Sequence, residues 1–81
     1  MRLDKWLYYA RLYKTRVRSN KACTEGEVLV NKLKKYNSSY NLSTNDIITI
    51  ILDNKIKIIK VLKLPKTRIS SKKVNEIYKI I

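Results

Sequence analysis

Five apolar residues near the start of the chain recur at the spacing of an α-helix, and this pattern constrains the fold more than any other feature. The residues that follow the i, i+3, i+4, i+7 rule of an amphipathic helix are Leu3, Trp6, Leu7, Ala10 and Tyr13. On an ideal helical wheel they occupy one arc of about 120°. The sequence therefore predicts a helix over residues 3–13 whose apolar side packs on a core.

A second helix is predicted over residues 16–25, where signals at both ends compensate for a weak apolar pattern. Thr15 precedes it and can act as the N-cap, because its hydroxyl can accept a free backbone N–H group. Gly26 is the only glycine of the chain, and it stands where a left-handed residue commonly ends a helix. The chain is therefore expected to begin with two helices joined by a short turn.

Strands are predicted from residue 27 onwards. Residues 27–31 favour a short strand with Val28 and Val30 on one face. Residues 31–45 are polar and predict a loop, with a short strand near residues 40–42. This polar stretch separates the first strand from the more apolar segments that follow.

Two strongly apolar segments predict a β-hairpin. Residues 47–52 form its first strand and residues 56–64 its second, and Asp53-Asn54 is a plausible two-residue turn between them. The alternation of the second strand slips where Ile58 and Ile59 adjoin, which a β-bulge would explain.

The end of the chain combines a basic linker at residues 66–73 with a short helix over residues 73–80. The predicted fold is therefore α+β, with two N-terminal helices packed on a small antiparallel sheet and a short C-terminal helix. A chain of 81 residues has room for one domain. We assign residues 1–64 to that domain and residues 65–81 to the linker and terminal helix, which pack on it.

The charge of the chain is strongly unbalanced. Nineteen Lys and Arg residues stand against six Asp and Glu residues, which gives a net charge of +13. Such an excess makes the folded state repel itself unless a polyanion is near, and nucleic acid is the obvious partner. A lysine-rich composition can come from AT-rich coding, but that bias explains the arginines less well. The four arginines within the first 18 positions are Arg2, Arg11, Arg16 and Arg18.

The start of the second predicted helix has the properties of a phosphate site. The first turn offers free N–H groups and the positive end of the helix dipole. In Lys14-Thr15-Arg16, the cations Lys14 and Arg16 flank this end of the helix. A solvated charged face is the alternative interpretation. Seven basic residues against one acid in the first 24 positions favour phosphate binding.

Residues typical of catalytic centres are missing from the sequence. It has no His, a single Cys, no P-loop and no nucleotide-binding glycine pattern. We therefore expect no enzyme activity, no cofactor and no metal site, and we interpret Cys23 as a small buried hydrophobe. No secretory signal and no apolar stretch of membrane-spanning length is present, so the cytoplasm is the expected location.

An ordered set of short motifs resembles the S-four RNA-binding domain. The motifs are Arg2-Leu3-Asp4-Lys5-Trp6-Leu7, Ala10-Arg11, Lys14-Thr15-Arg16, Ala22-Cys23, Gly26 and Val28-x-Val30-Asn31. Within this domain family, the opening six residues and Lys14-Thr15-Arg16 resemble the bacterial heat-shock proteins of fifteen kilodaltons. Those proteins are stand-alone S-four domains, similar to the ribosome quality-control factor of Gram-positive bacteria.

The resemblance implies that the two helices bind the backbone of folded RNA. Members of this branch resemble factors that bind the large ribosomal subunit when it still carries a stalled peptidyl-tRNA. Ribosomal RNA, the large subunit and peptidyl-tRNA are therefore the expected partners of this chain, which we expect to be monomeric and independent of membranes. The residues carried over as RNA contacts are Arg2, Lys5, Arg11, Lys14, Thr15, Arg16 and Lys21. Asp4 and Asn31 are expected to support them, Asp4 by orienting a neighbouring arginine or by capping the first helix.

The sequence departs from the family pattern at several positions. Lys32 and Asn45 stand where the family usually has glycine, and Arg18 and Ser19 replace a commoner apolar residue and alanine. A longer basic C-terminal extension of some relatives is missing, and the basic residues of 66–73 could supply its contacts.

Other binding modes compete with this interpretation. Two helices joined by a short turn could bind duplex DNA as a helix-turn-helix, and Trp6 beside a basic face could mark a membrane-surface helix. A general module for structured RNA or duplex DNA is the alternative function. Tyr8 and Tyr9 lie off the apolar arc. Each could stack on an unpaired base, worth about 1–3 kcal/mol, or pack on the protein surface.

Overall fold

Two helices at the start of the chain lie on one face of a five-stranded antiparallel sheet. The computed structural model describes all residues 1–81. The elements in chain order are α1 (Leu3–Tyr9), α2 (Arg16–Thr24), β1 (Val28–Val30), β2 (Leu33–Lys34), β3 (Ile47–Leu52), β4 (Lys55–Val61), a 3₁₀ helix (Ser71–Glu76) and β5 (Tyr78–Ile80). The strand order is β2-β1-β3-β4-β5. The predicted α+β class is confirmed.

The core lies between the helices and the inner face of the sheet. Trp6 is fully buried, and its indole N–H donates to the carbonyl oxygen of Lys63 at 2.9 Å. Its ring meets that of Tyr78 edge-on, with 6.3 Å between centroids. Ile48 and Ile59 form a cross-strand pair beneath the helices, and neither is exposed. None of the helices is long and apolar enough to cross a membrane.

Helix α1 ends at Tyr9, short of the predicted end at residue 13. Arg11 adopts a φ of 62°, a left-handed conformation that a helix cannot continue through. Tyr13 nevertheless turns back and is 5% exposed. The apolar period therefore identified the buried residues correctly but overestimated the length of the helix.

Helix α2 begins at the predicted residue and ends at Thr24, one residue before the predicted end. The Thr15 hydroxyl accepts the backbone N–H of Arg18 at 3.0 Å, so Thr15 is the N-cap. Gly26 follows the helix with a φ of 77°. A Cβ atom at Gly26 would lie 3.0 Å from the ring of Tyr36. The backbone conformation favours glycine here, and a Cβ atom would also press against the Tyr36 ring.

Polar contacts help to hold α2 in place, because its apolar pattern is weak. Ser19 is fully buried, and its hydroxyl donates to the carbonyl oxygen of Asp4 at 2.8 Å. Arg18 Nη2 lies 3.0 Å from Glu27 Oε1, at the start of β1. The two residues that depart from the commoner family pattern thus connect α2 to α1 and to the sheet.

The β3–β4 hairpin has the predicted turn but no bulge. Asp53 and Asn54 have φ values of 45° and 66°, as a type I′ turn requires. The register of the two strands runs without interruption across six residue pairs. Ile59 faces the helices and is buried, whereas Ile58 is 39% exposed on the opposite face. The predicted bulge is wrong because adjacent isoleucines serve different faces of the sheet.

The ends of the sheet differ from the prediction. The expected strand near residues 40–42 is reduced to a single bridge between Arg2 and Asn41, and β4 ends at Val61 instead of residue 64. The predicted helix over residues 73–80 is a 3₁₀ helix followed by β5, which pairs with β4. The spacing of the apolar residues alone does not distinguish a helix from a strand here. The segment becomes a strand because β4 has a free edge with which it can pair.

The basic linker fixes the C-terminal end of α1. Arg68 donates from Nε to the carbonyl oxygen of Tyr8 at 3.1 Å and from Nη2 to that of Tyr13 at 3.3 Å. Its guanidinium lies 4.3 Å from the centroid of the Tyr8 ring. The N–H of Ile69 donates to the carbonyl oxygen of Tyr9 at 3.0 Å. Arg68 is therefore occupied by protein contacts.

The turn between β1 and β2 places a lysine in a strained conformation. Asn31 and Lys32 have φ values of 51° and 72°, so both are left-handed, as in a type I′ turn. Asn tolerates this region, whereas a lysine gains no comparable local hydrogen bond. The chain therefore makes the turn without the glycine that the family usually has at position 32.

We predict that Lys32→Gly raises the free energy of unfolding by about 1 kcal/mol, because glycine adopts positive φ without a Cβ clash. For a domain of this size the melting temperature should rise by about 4–8 °C. Thermal unfolding followed by circular dichroism measures the change. Lys32→Ala removes the same charge but keeps the Cβ atom, so an equal rise in that control would contradict the strain explanation.

Candidate nucleic-acid interface

A buried carboxylate holds two arginines at the junction of α1 and α2. The Asp4 side chain is 3% exposed. Arg2 binds it in a bidentate manner, with Nε–Oδ1 and Nη2–Oδ2 distances of 3.1 Å each. Arg16 Nη2 lies 3.6 Å from Asp4 Oδ1. The first residue of α2 and the residue before α1 therefore share one anion.

Other donors complete the surroundings of Asp4. The backbone N–H of Lys5 donates to Oδ1 at 2.7 Å, and Asn20 Nδ2 donates to Oδ2 at 3.3 Å. The same Asn20 nitrogen also donates to the Ser38 hydroxyl at 2.7 Å, in the loop before β3. Asp4 thus orients the arginines, the first of its two expected roles. It does not cap α1, because the N-cap residue is Arg2 and no side chain caps that helix.

Burial and pairing act in opposite directions on the pKa of Asp4. Burial is the largest single influence and favours the neutral acid, but hydrogen bonds from Arg2 and Asn20 and the charge of Arg16 together outweigh it. The pKa of the Asp4 carboxyl is therefore held below its ordinary value. The carboxylate stays charged at neutral pH and keeps both guanidinium groups in place.

Both arginines remain accessible from outside. The side chains of Arg2 and Arg16 are 49% and 43% exposed, so each can offer further N–H groups to a ligand. A guanidinium anchored on one side and open on the other is pre-organised for phosphate, because less side-chain freedom is lost on binding. The cluster can therefore bind a polyanion through two fixed cations.

The remaining predicted contacts on the helices have different surroundings. Lys14 and Thr15 are exposed beside Arg16, although the Thr15 hydroxyl already caps α2. Lys5 is half-buried, with its Nζ 5.5 Å from the centroid of the Tyr9 ring. Lys21 is exposed, with Nζ 3.8 Å from a carboxylate oxygen of Glu25. Such an exposed pair is weak, so the ammonium can leave it for a phosphate.

Comparison with known families agrees with this geometry. The family model described as the S4 domain, the S-four domain of the sequence analysis, matches residues 1–48, more than half of the chain. The chain belongs to the S4 domain family. S4 domains bind RNA, so the chain has an RNA-binding role. The matched residues include both helices and all the arginines and lysines predicted as contacts.

A solved structure has the same fold as this S4 domain along its whole length. It is Heat Shock Protein 15 of Vibrio cholerae, described as trimeric, with a TM-score of 0.92 and 28% sequence identity. The match covers 100% of this chain and 81% of that chain. The resemblance to the heat-shock proteins of fifteen kilodaltons is thereby confirmed. A search of curated proteins finds no match.

Arg11 lies away from the Asp4 cluster of this S4 domain. It follows the C-terminal end of α1, whereas Asp4 lies in the first turn of that helix. Its Nε donates to the carbonyl oxygen of Ile69, and the residue is exposed. The structure therefore brings Arg2 and Arg16 together, with Lys14 and Thr15 beside them, and places Arg11 at the other end of α1.

Asn31 supports the fold of the S4 domain. Its Nδ2 donates to Asp46 Oδ1 at 3.1 Å, and its Oδ1 accepts the N–H of Ile47 at 3.0 Å. These contacts hold the β1–β2 turn against the start of β3. Asn31 has no contact with the Asp4 cluster, so its supporting role is to build the sheet.

Sequence reasoning missed two polar groups of the domain. Asn20 was not selected, and only its helical spacing from Arg16 could have indicated that it reaches Asp4. The sequence predicts Glu27 only as the first residue of a strand. It binds Arg18 through both carboxylate oxygens and accepts a hydrogen bond from the Tyr13 hydroxyl at 3.3 Å. Arg18 therefore links α2 to the start of the sheet, whereas Arg2 and Arg16 pair with Asp4 at the junction of the helices.

Cys23 is a buried residue of the S4 domain core, as the sequence predicts. It is fully buried in the second half of α2. Burial, together with the negative charges of Asp4 and Glu27, raises the pKa of the Cys23 thiol to about 12. The thiol is therefore protonated at neutral pH and acts as a small apolar side chain.

We predict that Asp4→Asn lowers the free energy of unfolding by about 1.5–3 kcal/mol at pH 7, because hydrogen bonds to a charged group are lost. The pKa of Asp4 is lowered in the folded protein. Its contribution is therefore complete above the unfolded-state pKa of about 4 and is lost as the pH falls through the folded-state value. Urea unfolding across this pH range should show the difference between wild type and variant shrinking in acid.

Glu76→Gln is the matched control, because Glu76 is an exposed acid without an ion pair. It should change stability little at any pH. A deficit of Asp4→Asn that is equally large at pH 7 and in acid would contradict the role of the carboxylate charge.

Proposed function

We propose that this S4 domain binds ribosomal RNA of the large subunit and acts in the recycling or quality control of stalled large subunits that carry a nascent chain. The observation that carries the proposal is the pair of arginines fixed by the buried Asp4 carboxylate. Peptidyl-tRNA is the second candidate ligand, because it accompanies the nascent chain. The function needs no catalytic group, and its place is the cytoplasm.

The charge of the chain favours binding of a ligand with closely spaced phosphates. The chain carries a net charge of +13, and two of its few acids, Asp4 and Glu27, are occupied by arginines inside the fold. The acids therefore do little to neutralise the exposed cations of the helices. Arg2, Lys5, Lys14, Thr15, Arg16 and Lys21 are the proposed contacts of the first two helices, and Arg11 is a contact at the far end of α1.

The comparison also bears on the number of chains in the RNA-binding form. The sequence predicts a monomer, whereas the solved Heat Shock Protein 15 of Vibrio cholerae is trimeric. We propose the monomer as the RNA-binding unit, because the contacts around Asp4 lie within one chain. A trimer would then multiply this interface without altering it.

We predict that Arg16→Ala weakens binding to a ribosomal RNA fragment about tenfold, which corresponds to about 1.4 kcal/mol. The slope of log affinity against log salt should fall by about one, because one phosphate contact is lost. Folding should change little, since Arg16 is exposed and Arg2 keeps the bidentate pair with Asp4. Fluorescence anisotropy over a salt series measures binding.

Lys79→Ala is the control for Arg16→Ala, because it removes one exposed charge from β5, away from the proposed contacts. Equal losses in both variants would show that only net charge matters. Unfolding of Arg16→Ala would place Arg16 among the structural residues. Competition between the RNA fragment and duplex DNA at matched salt tests the alternative module, which would bind both equally.

We further predict that the protein cosediments with isolated large ribosomal subunits and does so more strongly when they carry a stalled nascent chain. The small subunit at the same salt is the comparison, since it offers a similar density of phosphates. Equal binding to both subunits would reduce the proposal to general RNA binding. Sedimentation through a sucrose cushion, followed by quantification of the pellet, measures the difference.

A further inference from the structure

A second surface with cations lies at the opposite end of α1 from Asp4. It is a groove of about 460 Å³ between the loop that follows α1 and the β3–β4 hairpin. Leu12, Ile50 and Leu52 give it an apolar part, whereas Arg11, Lys55 and Lys57 supply three positive charges. Asp53, in the hairpin turn, is its only acid. The groove thus combines apolar surface with a net positive charge.

The lysines of the groove occupy core-facing positions of β4. Ile59 and Val61 point towards the helices and are fully buried. Strand alternation puts Lys57 and Lys55 on the same face, opposite Ile50 and Leu52 of β3. The core-facing row therefore changes from apolar to basic near the hairpin turn. Lys57 Nζ lies 5.6 Å from the centroid of the Tyr78 ring. Lys55 and Lys57 are both exposed, so their ammonium groups are available to an anion.

The opposite wall of the groove is held in place by the linker. Arg11 has a φ of 62°, and its Nε donates to the carbonyl oxygen of Ile69. Ile69 is itself bound to Tyr9, and Arg68 binds the carbonyl oxygens on both sides of this loop. The terminal nitrogens of Arg11 have no protein hydrogen-bond partner. A strained residue held by several contacts is typical of a binding position.

We propose that this groove binds an unpaired nucleotide of the RNA, with its phosphate on Arg11, Lys55 and Lys57 and its base against Leu12 and Leu52. The proposal rests on the proposed RNA-binding function, because the Asp4 cluster would hold the paired backbone of the same molecule. Helix α1, of seven residues, separates the two contacts by about 10 Å. A few nucleotides bridge that distance.

The chemistry favours a nucleotide over an acidic peptide. Three cations flank an aliphatic strip in a groove, which suits a ligand with a flat apolar part next to a charged group. The flat part would contact the leucine side chains by van der Waals packing. The strip has no donor pattern for reading a base edge, so the base identity should matter little. An unpaired position in an otherwise structured RNA is therefore the expected feature that the groove recognises.

The test compares two RNA hairpins with the same stem, one fully paired and one with unpaired bulge nucleotides, by fluorescence anisotropy at matched salt. The wild type should bind the bulged RNA more tightly. The groove variant Lys55→Gln/Lys57→Gln should bind it about tenfold more weakly than wild type and lose most of the preference. The matched control Lys34→Gln/Lys79→Gln, at exposed positions of the two edge strands, should weaken both RNAs equally and keep the preference.

The possible outcomes separate the two proposals. A preference that survives in the groove variant, or equal losses on both RNAs in the groove and control variants, would overturn the nucleotide site. Failure of the wild type to bind either RNA, or unchanged binding by Arg2→Ala/Arg16→Ala, would overturn the proposed function itself. If the double variant fails to fold by circular dichroism, Lys55→Gln alone gives the same comparison.

One further result would reassign the groove to a protein ligand. An acidic peptide with leucine anchors that binds the wild type but not the groove variant, while both proteins keep the same preference for the bulged RNA, would contradict nucleotide binding. The supporting outcome is that a free nucleotide monophosphate displaces the bulged RNA from the wild type, whereas the peptide does not.

Discussion

The carboxylate of Asp4 is the interaction on which the rest of the structure depends. Two cations as close as Arg2 and Arg16 repel each other, and a buried charge without partners is costly. Asp4 resolves both problems, because it is buried and paired with both arginines. Through Asn20 it also connects α2 with the loop that contains Ser38. The mutual position of the helices and the spacing of the cations therefore have one physical cause.

The apolar core is small, so hydrogen bonds and ion pairs are needed to hold α2 against the rest of the fold. A domain of this size buries only about 60–65% of its unfolded surface, and α2 contributes little more than Ala22 and Cys23 to the core. Glu27, bound to Arg18, supplies a second ionic link between α2 and the sheet. Asp4 and Glu27 thus pair with arginines within the fold, and cations outnumber acids on the surface. The same placement of acids and cations therefore both stabilises the fold and leaves the surface positive.

The sequence was sufficient for the core-facing residues, the N-cap Thr15, the position of Gly26 and the hairpin turn, because these depend on local rules. The end of α1 was not predictable, since the left-handed Arg11 is held by Ile69 far along the chain. Strand β5 was also missed, because its pairing with β4 is a tertiary choice. At the site, the motif identified Arg2 and Arg16, but contacts through loops separated in sequence remained hidden until the fold was known.

The buried Cys23 has a practical consequence for the chain. Its thiol has a pKa of about 12, and oxidants and alkylating reagents attack the thiolate form. The protein should thus tolerate oxidising conditions without forming covalent dimers through sulfur. Any cysteine introduced on the surface would be the single reactive thiol, so a spectroscopic label could be attached at one chosen position without first replacing the native residue.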